Sequence, residues 1–314
     1  MKPDEGNFDR YSFPDSRPLH VIFHGDDFGL TSGVNKGILQ AFRKGVLTSV
    51  SIMACGAAVD EAIEIAHGHP DMDTGVHLVL SDEIPLRTPT PFPFARFPRR
   101  RRLISTLLSR KLTLQHIETQ WKHQVEMLLD AGIPLSHMDS HQHIHLYPGI
   151  LPIAVRIAIE YGIPFIRSSF TEPVISAGAG YRRMVDYLLI KSWSTVCTLQ
   201  TGIHSWACIP TTGFLHAGGK LNFNTLSATM DAVRRKRIPA IELMLHPGTE
   251  NPQTCTRYHH WNYFWENDLN LITDPRTAPM LAQKNIIPAS FARIHEMQVH
   301  AGKKASAGPH RPRA

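Results

Sequence analysis

The sequence predicts one α/β domain whose parallel strands close into a barrel. Strands alternate with helices about seven times, and the composition does not shift to a second regime. Polar clusters at 24–27, 139–145 and 246–248 each follow a predicted strand. Closing a parallel sheet into a ring brings distant strand ends to one mouth, so a barrel explains these clusters. A Rossmann-type sheet ranks second, because no G-x-G-x-x-G follows the first strand.

The composition is that of a globular protein with a sizeable core, because 42% of the 314 residues are hydrophobic and 19% are charged. No apolar run approaches the ~18–20 residues that span a bilayer. The first twenty residues lack an apolar segment, so we expect no secretory signal. The four cysteines are far apart and form no C-x-x-C pair, which is typical of reduced thiols in a cytoplasmic protein.

The formal net charge of +6 is concentrated in a run at Arg99–Arg102 and in the C-terminal tail. The sequence shows neither an aromatic-and-basic RNA signature nor a DNA-reading module. We therefore expect no nucleic-acid partner.

The N-terminal elements carry the first polar cluster. Residues 1–18 are predicted to be a flexible arm, and Leu19–Phe23 is an apolar run rich in strand formers. Ser32 is the predicted cap of a helix whose apolar residues follow at helical spacing. Asp26 and Asp27 would then lie in a βα loop at the carboxyl end of a strand, where barrels build their active sites.

The middle of the chain continues the alternation. We predict strands at 48–54 and 74–80 with a helix at 59–66 between them, and His77 in the second strand has the pattern of a core histidine. Residues 82–102 interrupt the pattern with prolines, phenylalanines and arginines and are predicted to be an inserted loop.

The remaining predictions complete a single domain at 19–291, followed by a polar basic tail at 292–314. The later helices are predicted at 114–131, 151–161, 181–199, 226–237, 261–271 and 278–284. The later strands are predicted at 163–167, 240–245 and 286–291.

The segment Ser136–His145 contains four histidines and an aspartate within ten residues. Buried imidazoles need polar partners, so this composition suits a metal site better than a packed core. If the segment is extended, side chains alternate and His141, His143 and His145 point the same way. The alternative is a polar surface loop that is rich in histidine.

One aspartate and two histidines with open coordination positions predict a catalytic divalent-metal site. Such an ion lowers the pKa of bound water toward roughly 7–9. Of the adjacent pair, one aspartate could bind the metal and the other accept a proton, while His246 could protonate the leaving group. The chemistry is that of amide or ester hydrolysis. Phosphoester cleavage is an alternative, and it often uses two metals.

These residues resemble the YdjC/ChbG-like carbohydrate deacetylase family. The motifs stand in the family's order over about residues 19–291: Asp26–Gly29, Gly33–Ile38, Gly45–Ser49, Gly75–Leu78, Asp139–His145 and His246–Gly248. The resemblance implies a distorted (β/α) barrel of the glycoside hydrolase/deacetylase type. It also implies a metal-dependent deacetylase of N-acetylated amino sugars, and makes a homodimer plausible.

The resemblance assigns roles position by position. Asp27, His77 and His141 match the family's metal ligands, Asp26 matches the catalytic base, and His246 matches the acid. His77 thereby changes from a predicted core residue to a predicted ligand. The cofactor would be one divalent ion, and the ligand set suits Zn, Mg, Mn or Co.

Phe28, His143 and His145 are the predicted substrate-contacting residues, with a core or loop role open for the histidines. The chain departs from the family at two places. His24-Gly25 stands where members often have a small or amide residue followed by Ala, and Gln142 stands where many have a third consecutive His. Both positions are close enough to the site to affect substrate choice.

The predicted substrate is a chitooligosaccharide or an N-acetylglucosaminyl glycoconjugate or lipid, the latter as in a branch associated with hopanoid synthesis. Phenylalanines beside arginines in Phe92–Arg102 suggest peripheral contact with an anionic inner-membrane face. A solvated basic loop or a dimer contact is the alternative. Another metal-dependent amidohydrolase, a phosphoesterase and a non-catalytic metal- or sugar-binding barrel are the competing functions.

Overall fold

The computed structural model of the chain describes residues 17–88, 92–174, 180–201, 209–250 and 256–306. Within these residues the strands form one sheet in which every recorded strand pairing is parallel. The strands are β1 (Leu19–Phe28), β2 (Ser49–Ile52), β3 (Asp73–Leu78), β4 (His137–Ser140), β5 (Phe165–Ile166), β6 (Thr211–Thr212), β7 (Ala240–Leu245) and β8 (Ile286–Pro288).

Helices separate most of the strands, as the alternating pattern predicts. They are α1 (Ser32–Lys44), α2 (Val59–His67), α3 (Arg100–Leu108), α4 (Leu114–Asp130), α5 (Leu151–Glu160), α6 (Tyr181–Thr201), α7 (Phe223–Arg235), α8 (Trp265–Thr273), α9 (Thr277–Gln283) and α10 (Phe291–Ser306). No helix among the described residues combines the length and the apolar character that crossing a bilayer requires.

The sheet curls into a distorted barrel. Seven strands follow the order β5-β4-β3-β2-β1-β7-β6, and β8 pairs with β1 beside this path. Phe170, just after β5, forms a parallel bridge with Thr211 of β6. The Thr171 N–H donates to the Thr211 carbonyl at 2.8 Å, which joins the two ends of the path. The predicted parallel barrel is confirmed.

Close packing holds α1 against the loop that follows β7. Thr31 caps α1 by accepting a hydrogen bond from the Val34 N–H, so the cap lies one residue before the predicted Ser32. A side chain at Gly37 would place its Cβ 2.2 Å from the Cα of Gly248. Only glycine permits this approach, which fixes the position of the segment that carries His246.

Two local predictions around the site were wrong. β1 does not end at Phe23 but continues to Phe28 and includes the acid pair, with a register shift against β2 between Gly25 and Phe28. The segment from His141 to Leu146 consists of tight turns rather than extended chain, with a kink at Gln142 and His143, which both have φ of 55°. Its side chains therefore do not alternate as in a strand.

The predicted insert at 82–102 contains the first residues of α3. Phe97 is buried, and Phe92 and Phe94 pack half-buried against the core. The Phe92 and Phe97 rings lie 4.9 Å apart in an edge-to-face contact. These phenylalanines therefore contribute to the packing of the protein interior.

The predicted polar tail begins with helix α10. Its residues Phe291 and Ile294 are buried in a small cluster with Ile22 and Phe165. Apolar residues at helical spacing attach this segment to the barrel. Residues 307–314 lie outside the described part, as do residues 1–16 of the predicted arm.

Candidate active site

The polar segments at the carboxyl ends of β1, β3, β4 and β7 surround a cavity of about 180 Å³. The cavity brings together the aspartate pair with His77, His141 and His246, which come from four separate parts of the chain. Its full lining is Asp26, Asp27, His77, Arg100, His141, Gln142, His143, Arg183, Asp186, Phe214, Ala217, Met244, His246, Trp261 and Tyr263.

Asp27, His77 and His141 form a cluster with the donor atoms of a metal site. Asp27 Oδ1 lies 3.2 Å from His77 Nε2 and 3.1 Å from His141 Nδ1. All three ligand atoms lie within 4.8 Å of one another. Asp27 has a φ of 65°, in the left-handed region, at the bulge that ends β1.

Two buried atoms of this cluster lack a hydrogen-bond partner among the described residues, namely Asp27 Oδ2 and His141 Nε2. A buried polar atom without a partner is costly, so a cation would satisfy what the chain does not. Burial opposes the charge of Asp27, but the His141 and His77 imidazoles hold the pKa of this carboxyl below its ordinary value. The donor set of one carboxylate and two imidazoles fits a divalent ion.

His77 is oriented from behind by Asp139. The Nδ1 atom of His77 lies 2.8 Å from Asp139 Oδ1 and 3.0 Å from the Ser51 hydroxyl. Burial lowers the basicity of the ring, but the Asp139 carboxylate outweighs it and raises the pKa of His77 to about 10. The Asp139 carboxylate therefore holds the ring with Nδ1 toward the interior and Nε2 toward Asp27.

Asp26 is held by a buried arginine that the sequence did not single out. Arg167 Nη1 donates to Asp26 Oδ2 and Nη2 donates to Oδ1, both at 2.8 Å. Burial opposes ionisation of Asp26, but Arg167, assisted by His24, holds the pKa of this carboxyl well below its usual range. Asp26 is therefore a carboxylate, able to accept a proton, at any pH near neutrality.

Arg167 also contacts two further buried acids. It donates from Nε to Glu242 Oε1 at 2.9 Å, and its Nη2 lies 2.9 Å from Asp139 Oδ2. Glu242 in turn accepts from the Thr211 hydroxyl at 2.6 Å. This network links residues of β1, β4 and β7 in the buried interior.

His246 faces Asp26 across the cavity, with its Nε2 3.9 Å from Asp26 Oδ2. Its backbone N–H donates to Asp268 Oδ2 at 2.9 Å, and the Tyr263 ring meets it edge-on at 4.8 Å. Its Nδ1 is buried and has no hydrogen-bond partner within the described ranges. Burial lowers the pKa of His246, although Asp26 and Asp27 oppose this effect.

The structure places the three predicted substrate-contacting residues differently. His143 lines the cavity, between the rings of Phe170 and Phe214 at 5.1 and 5.2 Å. His145 is completely buried, with Nδ1 2.5 Å from the Ser140 hydroxyl and Nε2 2.5 Å from the Arg167 carbonyl. Phe28 is completely buried in the core. Neither His145 nor Phe28 is among the residues that line the cavity, and their predicted substrate contacts stay predictions.

Aromatic residues form one wall of the cavity, and the sequence reasoning missed them. The Trp261 ring lies 4.7 Å from that of His141 and 5.8 Å from that of Tyr263. The Trp261 indole nitrogen is buried without a partner among the residues that the structure describes. The signal that could have indicated this wall is the aromatic-rich stretch 258–265, Tyr-His-His-Trp-Asn-Tyr-Phe-Trp.

Fold and site together define a class of protein. It is a parallel α/β barrel that carries a carboxylate–imidazole cluster, an ionised aspartate and a facing histidine at the carboxyl ends of its strands. Residues 20–283 match the family model of the YdjC-like proteins. The match covers most of the chain, so the chain belongs to the YdjC-like protein family, and the resemblance drawn from its motifs is confirmed.

Curated relatives named carbohydrate deacetylase match part of the chain. One from Brevibacillus brevis is 37% identical over 146 residues, which are 46% of this chain and 58% of the relative. One from Halalkalibacterium halodurans is 35% identical over 161 residues, covering 49% of this chain and 66% of the relative. One from Vibrio parahaemolyticus is 39% identical over 148 residues, covering 46% and 58%. The matches thus span about three fifths of these relatives.

A solved structure of the same fold is that of a protein named for cellobiose-phosphate cleavage from Enterococcus faecalis V583. It superposes with a TM-score of 0.67 over 88% of this chain and 99% of that one, at 19% sequence identity. At this identity the likeness concerns the fold, and it agrees with the distorted barrel described above.

Proposed function

We propose that this protein is a metal-dependent N-deacetylase that removes the acetyl group from an N-acetylated amino sugar. The observation that carries the proposal is the cluster of Asp27, His77 and His141, with unpartnered Asp27 Oδ2 and His141 Nε2, beside Asp26 and His246 in one cavity. The curated relatives named carbohydrate deacetylase support the reaction and the substrate class.

Asp27, His77 and His141 would hold the ion, which we propose to be Zn, Mg, Mn or Co. A divalent cation bound there supplies Lewis acidity to the amide carbonyl and to water. The chain's own contribution is to keep Asp27 ionised between two imidazoles and to fix the His77 ring through Asp139. Both features prepare the donor atoms before the ion arrives.

Asp26 would act as the base and His246 as the acid. Arg167 keeps Asp26 ionised, so its carboxylate can accept the proton that the attacking water loses. His246 Nε2, 3.9 Å from Asp26 Oδ2, can deliver a proton to the leaving amine. The two groups line the same small cavity, so both can reach a bound amide.

The network around Arg167 supports one ion rather than two. Within the described residues, two further groups of potential ligands are His24, Asp139 and Glu242, and Asp26, His77 and Asp139. Arg167 Nη2 reaches both groups: it lies 2.8 Å from His24 Nδ1 and 2.9 Å from Asp139 Oδ2, and it donates to Glu242 and to Asp26 Oδ1. The guanidinium therefore occupies the position of a second cation, which disfavours a two-metal phosphoesterase.

Acetate release from a substrate panel tests the proposal. The panel holds chitobiose, N-acetylglucosamine, an N-acetylglucosaminyl lipid, a simple acetamide and a phosphomonoester. Each is tested with protein stripped by chelator and reloaded with Zn, Mg, Mn or Co. We expect release that disappears on stripping, returns with one of these ions and prefers an N-acetyl sugar.

Two variants separate the proposed roles. Asp26→Asn should bind the ion and release no acetate, whereas His141→Ala should lose both the ion and the activity. Phosphomonoester turnover without acetate release, or activity in stripped protein, would contradict the proposed function. Homodimer formation, a cytoplasmic location and membrane contact stay predictions.

A further inference from the structure

A chain of buried hydrogen bonds runs from Asp26 away from the cavity and into the barrel. His24 Nδ1 lies 2.8 Å from Asp26 Oδ1, and His24 Nε2 lies 2.7 Å from His137 Nε2. His137 Nδ1 continues the chain to the Ser136 hydroxyl at 2.8 Å. His24 and His137 are almost completely buried, and neither lines the cavity.

The contact between the two imidazoles requires a proton between them. Each Nε2 atom is either an N–H donor or an acceptor with a lone pair, and two lone pairs facing each other at 2.7 Å would repel. One ring therefore donates to the other. The two N–H groups of Arg167 Nη2 donate to Asp26 Oδ1 and to Glu242, so His24 Nδ1 faces the Asp26 carboxylate as a donor. His24 Nε2 is then the acceptor and His137 Nε2 the donor, and the state of one ring determines that of its neighbour.

The space for this pair is built into the surrounding residues. A Cβ at Gly75 would lie 2.5 Å from Nε2 and Cδ2 of His137, so the absent side chain makes room for the ring. The Phe291 ring of α10 stacks on His137 at 4.1 Å between centroids and meets His24 edge-on at 5.9 Å. With one ring face packed against Phe291 and one edge against Gly75, His137 has little freedom to rotate.

Apolar side chains would fill a barrel interior without the desolvation that two imidazoles suffer. His24, its partner His137 and the space left at Gly75 occur together. Among the described hydrogen bonds, the pair connects toward the cavity through the contact of His24 Nδ1 with Asp26 Oδ1.

We propose that His24 and His137 are a positioning pair, which fixes the orientation of the Asp26 carboxylate through one shared proton. Arg167 holds Asp26 with two parallel hydrogen bonds, and His24 adds a donor at Oδ1 from the barrel interior. Together they leave Oδ2 directed toward His246. The inference rests on the proposed function, because it assigns the pair to the proposed base.

Single and double variants test the pair. His24→Asn removes the first ring and keeps a polar side chain, and His137→Asn removes the partner ring. We expect kcat to fall about 10- to 100-fold in each single variant, as for other residues that orient a catalytic group. KM and bound metal per chain should not change. The double variant should be no slower than the slower single variant, because the two rings act as a unit.

A matched control lies on the same strand. His20 is half-buried near the start of β1, outside the cavity lining, and His20→Asn should keep the kcat of the wild type. Wild-type kcat in both folded single variants would overturn the proposal. A double variant whose loss equals the product of the two single losses would also overturn it.

NMR spectroscopy tests the shared proton independently of enzyme activity. In protein labelled with 15N-histidine, the N–H···N contact should give a scalar coupling between the two Nε2 atoms in the wild type. That coupling should vanish in each single variant and persist in His20→Asn. Its absence from the wild type would overturn the pair even if a variant fails to fold. A wild type that shows the coupling but releases no acetate would instead overturn the proposed function.

Discussion

Arg167 holds the carboxylate of Asp26 with two parallel hydrogen bonds of 2.8 Å. The same guanidinium contacts Glu242 and Asp139, so one buried cation is shared by three buried carboxylates. Each acid lies on a different strand or strand end of the barrel. The contacts of Arg167 therefore also connect distant parts of the sheet.

Replacing Arg167 by Met should destabilise the protein strongly. Removing one partner from a buried ion pair leaves an uncompensated charge, which typically costs about 3–5 kcal/mol. Here the substitution leaves the carboxylates of Asp26, Asp139 and Glu242 without their cation. We expect the free energy of unfolding, measured by urea denaturation, to fall by about this amount.

The matched control is Arg276, which pairs with Asp274 on the surface, where two-thirds of its side chain is exposed. Exposed ion pairs contribute little, so Arg276→Met should leave the urea midpoint unchanged. If Arg167→Met unfolds at the same urea concentration as the wild type, the charge-balancing role of Arg167 is wrong.

Replacing Asp139 by Asn should weaken metal binding. Asp139 accepts from His77 Nδ1 at 2.8 Å and so directs His77 Nε2 toward Asp27. Loss of such an outer carboxylate typically weakens metal affinity about 10- to 100-fold. Competition with a chromogenic chelator measures the affinity.

The control for this variant is Asp186→Asn. Asp186 also lines the cavity, but it pairs with Arg100 and is not part of the metal cluster. Its substitution should leave metal affinity unchanged. Equal affinity of Asp139→Asn and wild type would show that His77 does not depend on this carboxylate.

Replacing Trp261 by Ala should raise KM more than it lowers kcat. The indole ring forms part of the cavity wall beside His141 and offers a flat apolar face to a sugar ring. Aromatic contacts of this kind contribute about 0.5–1.5 kcal/mol beyond area burial, so KM should rise roughly 2- to 10-fold.

Trp261→Phe separates stacking from hydrogen bonding, because it keeps an aromatic face and removes the indole N–H. A KM near that of the wild type would assign the effect to stacking. A KM as high as that of Trp261→Ala would assign it to the unpartnered N–H. No change in KM in either variant would place the sugar elsewhere in the cavity.

Asp268 should make stability dependent on pH. Burial raises the pKa of its carboxyl to about 7, although the His246 N–H opposes this effect. The folded protein holds the proton more tightly than the unfolded chain, where the pKa is about 3.9. The contribution of Asp268 to the free energy of unfolding is therefore fully present below about pH 4 and is lost as the pH rises toward 7.

Asp268→Asn cannot ionise, so its stability should rise relative to that of the wild type between pH 5 and pH 8. Urea unfolding of both proteins at these two pH values measures the difference. The same change in the free energy of unfolding in both proteins would show that Asp268 keeps an ordinary pKa.

Most of the fold followed from periodicity. The strand at Ala240–Leu245 has its predicted bounds, and the alternation of strands and helices gave the parallel barrel. The ordered motifs named Asp26, Asp27, His77, His141 and His246, and the structure places all five around one cavity. Periodicity and motifs are local signals, so they identify elements and the chemical groups that follow them.

The sequence by itself thus determined the class of fold, the family and the chemical groups of the site. Only the tertiary structure decided their partners. Arg167 has no local pattern, because Asp26 and Glu242 lie 141 and 75 residues away along the chain. The left-handed conformation at Gln142 and His143 directs His143 into the cavity and His145 into the interior. Burial and long-range contacts set these outcomes, and neither is encoded in the spacing of residues along the chain.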